Sequence, residues 1–122
     1  MLINVNDLTG PALDWAVAKA LGLNPNMDPE ARRQYVGYEG FAEANGFGYP
    51  IKSYHNSWDH SGPIIEQGLI VLSPHPAQGW FARSYMDTIE YLGDTPLIAA
   101  MCCYVASVLG DVVEIPNGLI SK

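Results

Sequence analysis

Apolar residues are densest near the C-terminal end, where TPLIAAMCCYVASVLG (95–110) runs without one charged side chain. Thr95 suits the N-cap, Pro96 the first helical position and Gly110 a left-handed stop, so the stretch predicts one helix. Leu97, Ala100, Met101, Tyr104, Val105 and Val108 fall on one stripe, with Ile98, Ala99, Cys102, Cys103, Ala106 and Leu109 behind it. A helix apolar all round has to be wrapped by protein. It is too short for a bilayer, which takes about 20 apolar residues. Ile98, Cys102, Ala106 and Leu109 must be covered by the fold or by a second subunit, and a homodimer using these four residues is expected.

A second helical period opens the chain. Thr9-Gly10-Pro11 starts it, Gly22 stops it, and Leu13, Ala16, Val17, Ala20 and Leu21 recur at helical spacing. Asp14 lies toward the positive end of the helix dipole and Lys19 toward the negative end. Trp15 flanks the stripe, either covering an edge of the core or joining a binding surface.

The pattern turns to strands in the middle. Gly68–Leu72 is a short apolar run closed by Ser73-Pro74. Gly79–Tyr85 alternates, with Trp80, Ala82 and Ser84 opposite Phe81, Arg83 and Tyr85. Val112–Ile115 forms a third strand after the last helix. The chain is read as one α+β domain over 1–122, with two main helices packed on a small, mostly antiparallel sheet. Residues 24–50 are read as an insertion or mobile loop. They hold a short helix near 29–36 capped by Asp28, then a Gly- and Pro-marked loop, FAEANGFGYP.

Composition excludes some function classes. Six Lys and Arg against thirteen Asp and Glu, a net charge of −7, disfavour a phosphate-backbone binder. No nucleic-acid partner is expected. MLINVNDLTG lacks the basic start and long apolar run of a signal peptide, so a cytoplasmic protein with no membrane partner is expected. Adjacent Cys102 and Cys103 point about 100° apart on a helix and read as small core residues rather than a disulfide.

The richest chemical cluster is YHNSWDHSGP (54–63), marked as a loop by its Gly and Pro. Tyr54, His55, Trp58, Asp59 and His60 are candidate ligand-binding residues. Alternatively, Asp59 or Ser61 caps the turn into Pro63-Ile64-Ile65 and Trp58 packs on the sheet. His55, Asp59 and His60 are types that a metal would take, but no standard zinc spacing occurs and no Cys lies nearby. No metal and no cofactor is expected. Neither a GxSxG elbow, a GxGxxG turn nor a P-loop is present. No catalytic residue is assigned, and a small enzyme would have to use His55, Asp59 and His60. Arg83, beside Trp80, Phe81 and Tyr85, is the best anion-reading group, the alternative being an ordinary surface strand residue.

Four segments in order, LTGPALDWAVAKALG (8–22), SWDHSGPIIE (57–66), WFA (80–82) and GDTPLIAAMCCYVASVLGDVVEIP (93–116), resemble the NinX-like family of small phage and prophage proteins. Related chains often carry a basic residue near Cys102 and another near Val108. This chain has neither, so its last helix is more apolar than the resemblance predicts. The resemblance implies a phage accessory protein working in the bacterial host cytoplasm, and it transfers no catalytic residue. The expected function is non-enzymatic binding of a nucleotide-like host metabolite or a host protein. The surface would be built from Tyr54–Gly62 with Trp80 and Arg83. The rival is a homo-oligomeric interaction module.

Overall fold

The computed structural model describes residues 1–26, 41–44, 47–77 and 79–119. Three α-helices are present among them: α1 (Gly10–Ala20), α2 (Trp58–Gly68) and α3 (Pro96–Leu109). The strands are β1 (Leu2–Asn4), β2 (Asn24–Asn26), β3 (Phe41–Ala44), β4 (Phe47–Pro50), β5 (Ile70–His75), β6 (Gly79–Ser84), β7 (Tyr91–Gly93) and β8 (Val112–Glu114). They form three antiparallel sheets, ordered β1-β8, β2-β3-β4 and β5-β6-β7. The fold is α+β, with a third helix beyond the two expected.

The ends of α3 follow its sequence. Thr95 Oγ1 accepts from the Ile98 N–H at 3.2 Å, Pro96 opens the helix, and Gly110 ends it at a φ of 95°. The chain covers α3 on two sides. Ala100, Met101, Cys102 and Val105 join α1 residues Leu13, Ala16 and Val17, with Val5, Val113 and Ile115, in the main core. Ala99 and Cys103 pack instead on Ala82, flanked by Ile70, Leu72, Trp80 and Tyr91. Fully burying a Leu, Val or Met side chain contributes about 1.5–3 kcal/mol. A helix with no polar stripe gathers that contribution from both sides.

Cross-strand register separates the faces of the β5-β6-β7 sheet. Leu72, Ala82 and Tyr91 are partners on the α3 side, while Ser73, Phe81 and Leu92 are partners on the other, as are Val71 and Arg83. The β7 strand approaches α3 so closely that a Cβ on Gly93 would sit 2.4 Å from the Ala99 nitrogen and 2.9 Å from its Cα. Tyr91 ties the same region to the far end of α3 by donating its hydroxyl to Asp111 Oδ1 at 2.7 Å.

Several expectations need correction. The 54–63 stretch is not one loop: α2 begins at Trp58 and carries Pro63 inside it. Gly62 and Pro63 signalled a break, but Pro63 sits at the sixth of eleven positions, an interior site where it forfeits the backbone bond to the fourth residue before it, and the helix runs on to Gly68. The 41–50 stretch is also not all loop, since β3 pairs there with β2 on one side and with β4 on the other. The short helix expected near 29–36 lies outside the described residues. Ser73-Pro74 does not close β5, which runs on to His75. Proline is tolerated there because β5 pairs only with β6. Trp15, 9% exposed, belongs to the core and not to a binding surface. Among the described residues no helix is long and apolar enough to cross a membrane.

Gly93→Ala should lower unfolding stability by about 1–3 kcal/mol, because its methyl meets backbone that cannot rotate away. Urea unfolding measures this, and an unchanged midpoint would contradict the close β7–α3 contact.

Candidate functional site

The sequence-predicted residues fall in three places. The first is a bracket between α1 and the chain before α2. Asp14, fifth residue of α1, is only 8% exposed, in a helix otherwise packed with Ala, Val, Leu and Trp. Its Oδ1 accepts the His55 backbone N–H at 2.9 Å, and Oδ1 and Oδ2 lie 2.9 and 2.8 Å from His55 Nδ1. A carboxylate can only accept, so Nδ1 carries the proton and Nε2 is the free ring nitrogen. Burial pushes the Asp14 carboxyl above its ordinary value, opposed by the His55 side chain and by the His55 and Tyr54 backbone. Tyr54 is buried, its carbonyl accepts from Ser61 Oγ at 2.6 Å, and its ring meets His60 edge-on at 6.4 Å. The bracket thus links α1, the 53–56 turn and α2.

Trp58, Asp59 and His60 stand exposed on the first turn of α2. The N-cap is Ser57, which makes no side-chain cap bond, and neither Asp59 nor Ser61 serves there. Trp58 is exposed, so it does not pack on the sheet. His55 and Asp59 are not partners. The acid that holds His55 is Asp14, which sequence reasoning assigned only to the helix dipole. The available signal was a carboxylate flanked by Leu13, Trp15 and Ala16 on a buried stripe.

Trp80 and Arg83 occupy opposite faces of β6, as their alternation requires. Trp80 packs with the Ala82, Ala99 and Cys103 cluster beneath the sheet. Arg83 lies on the outer face, where its Nη1 donates to the carbonyls of Tyr85 (3.3 Å) and Asp87 (3.4 Å). Asp87 Oδ1 in turn accepts the Thr88 and Ile89 N–H groups at 2.7 and 3.1 Å. The 85–89 loop is therefore folded by its own polar groups, and it walls a broad groove of about 710 Å³. Val71, Ser73, Phe81, Arg83, Tyr85, Met86 and Glu90 contribute to its lining. A single surface made of Tyr54–Gly62, Trp80 and Arg83 is not assembled by these contacts.

The residues expected at a subunit interface have cover within the chain. Cys102 is fully buried and its Sγ donates to the Val5 carbonyl at 3.2 Å. Ile98, Ala106 and Leu109 are partly buried against the main core. Burial, then the neighbouring Cys103, pushes the Cys102 thiol up to about 12. Burial also raises Cys103, against a hydrogen bond from Ser84. Among the described residues no three His, Cys, Asp or Glu side chains converge as a metal site would require.

A helix packed between α1 and a small antiparallel sheet, with the sheet's other face partly exposed, defines a small α+β protein. The family model for Bacteriophage P22, NinX, matches residues 4–108, and the chain belongs to that family. The match runs from the end of β1 through nearly all of α3 and includes both the Asp14–His55 bracket and the sheet face. No individual curated protein matches the chain.

Two outcomes follow from the bracket and the thiols. Asp14→Ala should cost about 1–3 kcal/mol, because buried backbone and ring N–H groups lose their acceptor. A carboxyl raised in the folded state contributes stability below its unfolded pKa and loses it as pH rises through the folded value. The unfolding free energy of wild type minus that of Asp14→Asn should therefore fall as pH rises from the acid range toward neutrality. A difference that grows with pH would show that the His55 contacts outweigh burial. Iodoacetamide at mildly alkaline pH should label neither cysteine in the folded protein and both in urea. Rapid labelling of the native chain would contradict the closed core around α3.

Proposed function

We propose that this phage protein is a non-enzymatic binding protein that docks on another protein of the infected bacterial cell through the outer face of the β5-β6-β7 sheet. The observation that carries this is a run of large apolar side chains left bare beside the groove. Tyr85 is 62% exposed, Met86 88%, Ile89 54% and Leu92 38%. Val71 and Phe81 continue the patch across the sheet. Exposed apolar patches bordered by polar groups mark contact surfaces, and Tyr, Met, Phe and Arg are interface-enriched types. The loop is held by Arg83 and Asp87 before any partner arrives, which lowers the ordering cost of binding.

The metabolite reading would have to use Arg83 with Phe81 and Tyr85, because Trp80 lies on the other side of the sheet and Trp58 on α2. An enzymatic reading would rest on His55, whose ring is held by a carboxylate as a general base would be. No hydroxyl or thiol of the described residues hydrogen-bonds to that ring, so we read the pair as the bracket that fixes the 53–56 turn on α1.

A photo-crosslinking amino acid placed at Met86 should give one discrete protein adduct in infected cells. The same probe at Val112, half exposed on β8, should not. Met86→Lys with Ile89→Lys should remove the partner at unchanged stability. Adducts of equal yield from positions 86 and 112, or none from 86, would overturn the proposal.

A further inference from the structure

Arg83 shares its groove with two acids, Asp87 and Glu90, yet pairs with neither. Among the described residues its bonds are those from Nη1 to the Tyr85 and Asp87 carbonyls, and it forms no ion pair. The Nε and Nη2 edge of the guanidinium is thus left with its donors unengaged. That edge is a planar fork matching the two oxygens of a carboxylate. The acid nearest in sequence, Asp87, makes no ion pair with it, and its Oδ1 accepts the Thr88 and Ile89 N–H groups instead. Val71, Phe81, Tyr85 and Met86 lie around the same groove and supply apolar contact on either side of the cation.

Charge selects among anions. Among the described residues the groove lining holds one cation, Arg83, and two acids, Asp87 and Glu90, in a chain of net charge −7. A ligand with one negative charge, set on the Arg83 fork and apolar elsewhere, meets the least repulsion there of any anion. A multiply charged phosphate chain would meet repulsion with a single Arg to offset it.

We infer that Arg83 reads a carboxylate, and that the docked segment is a peptide presenting one acidic group next to an aromatic or aliphatic side chain. This rests on the sheet face being the docking surface. Arg83 has two functions in this arrangement: Nη1 shapes the loop wall, and the opposite edge receives the partner's acid.

The test uses the whole protein, labelled with ¹⁵N, and small probes. N-acetyl-phenylalanine, with a free carboxylate, should shift the amides of Val71, Phe81 and Tyr85 and the Arg83 side-chain N–H. Its neutral amide, N-acetyl-phenylalaninamide, should bind roughly fivefold more weakly or worse. Arg83→Gln should bring the two probes to the same affinity. Because that change also releases the loop, Glu90→Gln gives a second measure: it leaves the loop bonds intact and should strengthen the acid probe by about twofold. Equal affinity of both probes for wild type, shifts confined to other regions, or adenosine monophosphate binding more tightly than the acid would overturn the inference. The Met86 crosslink separates the two claims. An adduct whose yield is unchanged in Arg83→Gln leaves the docking face standing and removes the role of Arg83. Selective acid binding without any Met86 adduct removes protein docking and leaves the carboxylate site.

Discussion

The structure depends on a helix that cannot face water. No side chain of α3 is charged, and along its length only the last turn, at Ser107 and Val108, stands exposed. The chain answers with one layer on each side. The α1 helix and the chain ends at Val5, Val113 and Ile115 cover one flank, and the β5-β6-β7 sheet covers the other. The tight contact at Gly93 follows from this. A sheet that seals a helix whose facing residues are as small as Ala99 and Cys103 must bring its backbone close, and glycine removes the last obstacle.

Packing α3 against the sheet uses one of its faces and leaves the other partly exposed. That connects the core to function: the inner face carries Leu72, Ala82 and Tyr91 because α3 needs them, and the outer face is free to carry Phe81, Arg83 and Leu92. The Asp14–His55 bracket has a different logic. Placing a carboxylate in the α1 layer costs desolvation, which its bonds from His55 and from the Tyr54 and His55 backbone offset only in part. What results is a fixed orientation for the 53–56 turn, from which Trp58, Asp59 and His60 are projected into solvent.

Much of this was legible wherever one residue type has one physical reason to be there. Thr95-Pro96 and Gly110 bound α3, Gly22 ended α1, and the alternation from Trp80 to Arg83 assigned opposite faces. The α2 helix was missed because Gly62 and Pro63 are read locally as breakers, whereas tertiary packing, with Ser61 and Ile64 buried, holds a helix through them. Strands β3 and β4 were missed because Gly46, Gly48 and Pro50 signal turns, and strand pairing is a long-range fact that no local pattern states. The candidate site was legible residue by residue but not as a surface. Clustering in sequence placed His55 with Asp59 and His60, while the fold pairs it with Asp14, 41 residues away. Trp80 and Arg83 looked adjacent, yet period-two geometry parts them.

Membership of the Bacteriophage P22, NinX, family covers both the bracket and the sheet face without assigning either a role. The central claim is therefore physical: we propose that the cover α3 finds within its own chain suffices, so that the sheet's outer face rather than the back of α3 receives a partner. Native-state hydrogen exchange of the Ala100–Val105 amides at high and low protein concentration tests this most directly. These amides should be among the slowest in the protein, with protection that does not change on dilution. Protection that falls on dilution as a dimer dissociates would show that a second subunit is needed to cover α3, contradicting the account.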